Sequence, residues 1–342
     1  MAAAPVPRHG RREGRHLPPG APPEGGRCTK NGRRPVRRAG RNDMGKVGVV
    51  GLGDMGSGIA KNLLAAGYEV AGFDISAARL EAFAEMGGRP CTTAAEAGEG
   101  AEAVFVMVMT GEQAKSVILG GGLASTMAPG SVVLLTATIR TAEAVEIAEG
   151  LTGSGLHLID SPVSGGFPGA QGGTLTMMAA APAEVMAKAR GPMEAVSATI
   201  HHVGSEPGQG QTVKACLQSI LGSIFSATFE AAALAAKAGI SGQVLHDVVT
   251  TSSGGCGITR TALENIIDRR FEGTGSSITT MHKDLTISMD LARDLGVPLF
   301  TAATAMQLFQ AGKTKYPDGD NWIVTRVMEE IVGAELHREG GA

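Results

Sequence analysis

At 342 residues the chain is long enough for two domains, each with a core of its own. Hydrophobic residues make up 43% and charged ones 18%, a globular balance, and no stretch approaches the roughly 20 uninterrupted apolar residues of a membrane span. Four scattered cysteines (Cys28, Cys91, Cys216, Cys256) without any CxxC pair exclude a disulfide framework and a zinc site, and fit a reducing, cytoplasmic compartment.

The net charge of −3 hides two unlike regions. Residues 1–43 hold ten Arg and Lys30 against Glu13, Glu24 and Asp43, so the remainder is clearly acidic. This basic arm is rich in Pro and Gly and almost free of large apolar side chains, and is expected to be disordered. A nucleic-acid arm and a mitochondrial transit peptide are two readings of it. It contains no Ser and its prolines break helices, which counts against the second. The plainer reading is a dispensable leader ahead of Met44, with no nucleic-acid partner.

From Met44 the chain alternates short apolar runs with helical patterns, as in a βαβ series. Strands are expected at Lys46–Val50, Tyr68–Phe73, Ala103–Val108, Ser131–Leu135, Gly155–Asp160 and Thr174–Met178, with a last one near Ile200–Val203. Helices are expected at Met55–Ala66, Ala77–Met86 and Thr141–Gly150. After Gly204-Ser205-Glu206-Pro207-Gly208 the strand signals stop. Gln209–Ala238 reads as one helix of roughly 45 Å. Further helices follow near Gly242–Thr251, Thr259–Asp268, Thr279–Leu295, Pro298–Ala311 (Pro298 in the first turn) and Asn321–Leu336. The expected fold class is α/β: an N-terminal Rossmann-type dinucleotide-binding domain over residues 44–207, then an all-helical domain over 208–338 joined by the long helix. Its Ala-rich stretches suit close packing, either within one core or between subunits of a homo-oligomer (dimer or tetramer).

Three places carry chemistry. In Gly51-Leu52-Gly53-Asp54-Met55-Gly56, Gly51 permits the turn out of the strand. Gly53 lets backbone approach a pyrophosphate, and Gly56 lets helix pack on sheet. The phosphate would rest on the helix N-terminus. Asp74, about 20 residues on, would bind the adenosine ribose hydroxyls and repel a 2′-phosphate, favouring NAD over NADP. Arg79 lies where an arginine can accept that phosphate. The second place is Asp160-Ser161-Pro162-Val163-Ser164-Gly165-Gly166, whose Gly pair and Ser164 hydroxyl could form a nest for a carboxylate or simply be a glycine loop. The third is Lys214, among Val213, Ala215, Cys216 and Leu217. Desolvation there would lower its pKa toward a value useful for proton transfer, although a snorkelling lysine has the same sequence pattern. Gln218 follows one turn later on the same face. His201-His202 has no third ligand at a supporting spacing, so no metal is expected.

Together these segments resemble the β-hydroxyacid dehydrogenase superfamily, over essentially Lys46 to the last helix. Gly51–Gly67 resembles its opening signature and Asp160–Met178 its substrate-binding signature. The resemblance implies a Rossmann domain and an NAD-dependent oxidation of a small hydroxy acid, with Lys214 as general acid/base. Ser164, Gly165, Gly166 and Gln218 would then bind substrate. Gly51, Leu52, Gly53, Asp54, Met55, Gly56, Asp74, Val108, Met109, Thr138 and Lys283 would bind cofactor, Lys283 from the Lys283-Asp284 pair. Most members carry Asn one turn after the lysine, whereas Leu217 and Gln218 stand here. That Gln, with Glu206–Gly210 and Val248–Thr250, resembles the threonate dehydrogenase branch. Four-carbon sugar acids therefore head the expected substrates, followed by 3-hydroxyisobutyrate and tartronate semialdehyde. Gly255-Cys256-Gly257 does not fit the pattern and leaves the substrate open. Imine reductases share the fold but usually lack this lysine. A non-catalytic dehydrogenase-like scaffold would not need Lys214 together with the full cofactor turn.

Overall fold

A computed structural model of the chain describes residues 45–120 and 122–339, and the basic arm expected at 1–43 lies outside them. In chain order come β1 (Lys46–Val50), α1 (Asp54–Ala66), β2 (Glu69–Phe73), α2 (Ala77–Glu85), β3 (Arg89–Pro90) and α3 (Ala94–Gly98). Next are β4 (Ala103–Val106), α4 (Gly111–Lys115), α5 (Leu123–Thr126), β5 (Val132–Leu135), α6 (Thr141–Gly150) and β6 (His157–Asp160). The sheet closes with β7 (Val163–Ser164), α7 (Gly166–Gly172), β8 (Leu175–Ala180), α8 (Ala183–Lys188), α9 (Arg190–Val196) and β9 (Ser197–Gly204). Beyond it are only helices: α10 (Gln209–Lys237), α11 (Gly242–Thr251), α12 (Gly257–Ile267), α13 (Ile278–Asp294), α14 (Phe300–Lys315) and α15 (Thr325–Val332).

The strand order is β3-β2-β1-β4-β5-β6-β8-β7, with β9 paired to β8. β1 through β6 run parallel, and β6 and β7 meet β8 antiparallel. The central strands are Val- and Leu-rich because both faces are covered. Ile59, Leu63 and Phe83 pack against Val47, Val49 and Phe105 on one face, while Ile118, Leu123 and Ile147 cover Val104, Val133 and Leu135 on the other. A separate helical core gathers Phe225, Phe229, Phe309 and Trp322, ring against ring at 5.7–6.2 Å. With this order the chain reverses between β1 and β4, and the crevice at their carboxyl ends is where a doubly wound sheet binds its ligand.

Helix boundaries differ from the sequence reading by up to four residues, most of all at α14 and the last helix. Pro298 lies outside α14, which starts at Phe300, because Leu299 (φ −112°, ψ 74°) is non-helical and forms the N-cap. The expected helix Asn321–Leu336 is a 3₁₀ turn over Asn321–Val324 followed by α15, which stops at Gly333 in the left-handed region (φ 63°). The chain then folds back and buries Leu336, whose N–H donates to Glu329 Oε1 at 3.1 Å.

What sets α10 on the sheet is Asp160, the fully buried last residue of β6. Its Oδ2 accepts from Gly208 N–H (2.8 Å) and Gln211 N–H (3.2 Å), its Oδ1 from the Gln211 amide (2.8 Å). The first turn of α10 has donors with no intrahelical partner and a favourable dipole for an anion, so the carboxylate caps it from the sheet. Gln211 also accepts from Ile139 N–H (3.0 Å) and donates to Ala137 O (3.1 Å), fixing the loop after β5 to the same turn. Gly210 allows the approach, since a Cβ there would stand 2.5 Å from Asp160 O and 2.6 Å from Met178 O.

Burial pushes the Asp160 pKa up from its ordinary 3.8, and the donors from Gln211, Gly208 and Gly210 pull it part of the way back, to about 6. A folded pKa above the unfolded one means that this group's contribution is fully present below pH 3.8 and is lost as pH rises to about 6. Subtracting the Asp160→Asn unfolding free energy from the native one should therefore reveal a component falling by roughly 3 kcal/mol across that window. Urea unfolding at stepped pH measures it, and a difference that stays flat would mean that Asp160 titrates normally.

Candidate active site

The crevice between β1 and β4 is built from glycine. Gly51 leaves β1 at φ 91°, and a Cβ there would lie 2.3 Å from Met107 O, so no other residue fits without shifting backbone. Gly56 faces the same turn from α1, with a Cβ position 1.8 Å from Gly51 O. Gly53 is the N-cap of α1 and brings no side chain to the free N–H groups of Asp54, Met55 and Gly56. Its own Cβ position is clear of backbone and meets only the Arg79 guanidinium, at 3.7 Å. This is a cradle with unpaired donors and an open face, so it fits the diphosphate of a dinucleotide.

Asp74 ends its segment just after β2 and is nearly buried. Its Oδ2 accepts from Leu52 N–H at 2.7 Å and its Oδ1 from Ser76 N–H at 2.9 Å, while Arg79 Nη1 stands 3.5 Å from Oδ2. The carboxylate is therefore locked to the glycine turn, and a cation sits beside both. Val108 and Met109 follow β4, and Met109 N–H donates to Gln113 Oε1 at 2.9 Å, which holds this short stretch over the crevice mouth.

On the other side of the sheet end lie the remaining candidates. Thr138 follows β5, and its carbonyl accepts from Lys283 Nζ at 2.6 Å. Lys283 Nζ also approaches Asp284 Oδ1 to 2.8 Å as an ion pair, without hydrogen-bond alignment. The other Asp284 oxygen accepts from Gln218 Nε2 at 2.6 Å. Gln218, Asp284 and Lys283 thus form one linked set across α10 and α13, tied to the loop after β5. Lys214 is one turn before Gln218 and 6% exposed. Among the described residues its amine has neither a hydrogen-bond nor an ion-pair partner. Burial lowers its pKa, Asp284 raises it and Lys283 lowers it again, with burial the largest effect.

The glycine loop starts directly after Asp160. Ser164 pairs with Thr176 of β8, Gly165 (φ 128°) and Gly166 (φ 57°) open α7, and the loop is exposed from Gly165 to Pro168. α7 packs on α1 through Gly58, whose Cβ position is 2.5 Å from the Ala170 backbone, and through Asn62, which donates to Ala170 O at 2.8 Å. One residue, Asp160, therefore leads straight into this loop and holds the turn of α10 that precedes Lys214.

Sequence reasoning passed over three of these side chains. Asp284 was visible only as the neighbour of Lys283, Gln211 as a polar residue three before Lys214, and Asp160 as the first letter of the loop signature. Only the fold shows what each of them touches. Ser161 Oγ and Gln218 Oε1 are buried without a protein partner, the second next to the Lys214 turn.

Comparison with known proteins agrees with this arrangement. A family profile described as the NAD binding domain of 6-phosphogluconate dehydrogenase matches residues 46–204. A second, described as the NAD-binding domain of NADP-dependent 3-hydroxyisobutyrate dehydrogenase, matches 208–328. L-threonate dehydrogenase from Cupriavidus necator is 34% identical over 291 residues, which is 85% of this chain and 97% of that protein. The crystal structure of a 3-hydroxyisobutyrate dehydrogenase from Salmonella typhimurium superimposes with a TM-score of 0.77 at 32% identity, over 83% of this chain and all of that one. A Mycobacterium tuberculosis 3-hydroxyisobutyrate dehydrogenase solved with L-serine gives 0.76 at 29% identity, over 84% and 99% of the two chains. With the fold, the cofactor cradle and whole-length similarity in agreement, the chain belongs to the β-hydroxyacid dehydrogenase superfamily of NAD-binding oxidoreductases that act on CH–OH groups.

Proposed function

We propose that this chain oxidises a small hydroxy acid, a threonate-like four-carbon sugar acid first among the candidates, with Lys214 as the general acid/base and NAD as the cofactor. The observation that carries the reading is a buried lysine whose amine has no partner among the described residues, held on a helix whose first turn is fixed to the sheet. When bound, the nicotinamide supplies the acceptor for the hydride from the carbinol carbon. The protein supplies the rest. Lys214, its pKa lowered by desolvation, takes the hydroxyl proton in its neutral form, and the charge of Asp284 steadies the resulting ammonium. Gln218 already gives Nε2 to Asp284, so its free Oε1 accepts from a second substrate hydroxyl. Such an acceptor suits a polyol acid better than an unsubstituted one, and threonate is the named substrate of the Cupriavidus necator relative.

The N–H groups and hydroxyl of Ser164, Gly165 and Gly166 receive the carboxylate. Lys283, bridging Thr138 O and Asp284, closes the nicotinamide end. Gly51 to Gly56, Val108 and Met109 hold the rest of the dinucleotide. The division at residue 207 into a cofactor domain and a helical substrate domain follows from these roles, and assembly as a dimer or tetramer with no nucleic-acid partner is proposed beside it. Cys91, Cys216 and Cys256 are free, which fits a cytoplasmic enzyme.

Removing the base should cost about 10²–10⁴-fold in kcat, so Lys214→Ala is expected to lose that much while keeping its NAD affinity. Lys214→Arg should fare almost as badly, because a guanidinium holds its proton at every useful pH. Near-normal turnover by either variant, followed at 340 nm with threonate, would make Lys214 structural. The base must be neutral, so kcat/KM for oxidation should rise with pH and level off above an inflection below the ordinary lysine value of 10.5. Cofactor choice is tested at Asp74. NAD should outperform NADP, and Asp74→Ala should narrow the gap by removing repulsion toward a 2′-phosphate. Equal rates with both cofactors in the native enzyme would contradict the assignment.

A further inference from the structure

The loop read above as a carboxylate nest is tethered at two ends. At one end Ser164 is paired to Thr176 of β8. Gly165 (φ 128°) and Gly166 (φ 57°) then turn the chain into α7, and two glycines at positive φ leave the angle between strand and helix open. α7 cannot fix that angle by itself. Its seven residues, Gly166-Phe167-Pro168-Gly169-Ala170-Gln171-Gly172, include three glycines and a proline, and they are exposed as far as Pro168. Only Gly169 and Ala170 are buried. Where the nest stands is therefore decided at the far end, where α7 meets α1.

Gly58 and Asn62, one turn apart on the same face of α1, make that contact. A Cβ on Gly58 would lie 2.5 Å from the Ala170 carbonyl carbon, so backbone rests on backbone. The Asn62 carboxamide nitrogen donates to Ala170 O at 2.8 Å, reaches Gln171 O at 3.4 Å, and also donates to Gly58 O at 2.8 Å. Ala170 O and Gln171 O belong to the last turn of α7, whose carbonyls a helix end leaves short of donors. Gly173 (φ 62°) closes over the other side of the amide, since a Cβ there would stand 2.6 Å from Asn62 Oδ1. Gln171 Nε2 returns the contact by donating to Ser57 Oγ at 3.4 Å, in the turn of α1 that rises from the glycine cradle.

We propose that Asn62 is a positioning residue for the substrate: its carboxamide fixes α7 to the cofactor helix and so sets where the N–H groups of Gly165 and Gly166 stand relative to the cradle. This role rests on the loop being the carboxylate nest proposed above. One helix, α1, then faces the diphosphate with its first turn and holds the substrate loop with its third. α7 is about 10 Å long, so a tilt of roughly 6° about the Asn62 contact moves the nest by about 1 Å. A shift of that size separates a hydrogen bond from none. Three carbonyl oxygens around one nitrogen suit an NH₂ group and exclude an oxygen. The isosteric Asn62→Asp therefore keeps the shape, removes the donors and sets a carboxylate against the carbonyls.

In Asn62→Asp, KM for threonate should rise by about tenfold or more with a smaller loss of kcat, because the nest holds the carboxylate alike in ground and transition states. NAD affinity, measured by calorimetry, should be unchanged. In hydrogen–deuterium exchange the peptide covering 163–173 should exchange about tenfold faster than in the native chain, with peptides from β1 and α10 unaltered. Should Asn62→Asp not fold, Asn62→Ala removes the same donors without adding charge and is read in the same way. The exchange comparison needs no substrate, so it decides the matter even where threonate is not turned over and only the functional reading has failed. Native-like exchange of 163–173, an unchanged KM, or a KM rise matched by an equal loss of NAD affinity would overturn the proposal. The first two would leave the nest held without Asn62, and the third would make Asn62 a support of the whole domain.

Discussion

Everything functional in this chain hangs on a carboxylate that the sheet offers to a helix. Asp160 meets the unpaired N–H groups of α10 at the end of β6, and the Gln211 side chain completes the contact by reaching the loop after β5. Burying an ionised acid is unfavourable, as its raised pKa shows, and the four donors with the helix dipole offset only part of that. What the contact provides is position. Lys214 is one turn along α10 from Gly210, and the substrate loop begins one residue after Asp160, so the proposed base and the proposed carboxylate nest are referred to one atom group.

Around that anchor two different environments face each other across the crevice. The β1–β4 side is backbone: glycines, free helix-terminal N–H groups, and Asp74 clamped by Leu52 N–H. Such a surface recognises a phosphate by shape and dipole and needs no conformational search. The α10–α13 side is side chains: Lys214 unpartnered, Gln218 and Lys283 both engaged by Asp284. The Asp284 charge opposes the effect of desolvation on the Lys214 pKa, and desolvation is the larger of the two. Arg79 stands beside Asp74 at the proposed adenosine end, where attraction to a 2′-phosphate and the repulsion from Asp74 would compete.

The sheet was legible because buried parallel strands are continuous Val/Leu runs closed by glycine, and β1 and α6 begin and end where the patterns place them. Short pieces such as β3, β7 and α7 left no periodic signal, since two to seven residues hold too few turns or alternations to read. Pro298 failed because Leu299 after it is still non-helical, and the last helix because local propensity was overridden by a left-handed stop at Gly333 and by the pull of Leu336 back into the core. Of the site, the glycine turn and Lys214 were visible as motifs because chemistry restricts those residues to few types. Asp160, Gln211 and Asp284 were not, because their roles consist of contacts with residues 48–74 positions away that only the fold creates.

The central claim is that burial lowers the pKa of a Lys214 amine left free of protein partners among the described residues. Reductive ¹³C-methylation of the lysines, with the Lys214 resonance assigned by its disappearance in Lys214→Met, allows its titration to be followed by NMR in the intact enzyme. The account predicts a midpoint below the ordinary 10.5, carried by desolvation. A midpoint at or above that value would place the amine in water or in a strong ion pair, and would contradict it.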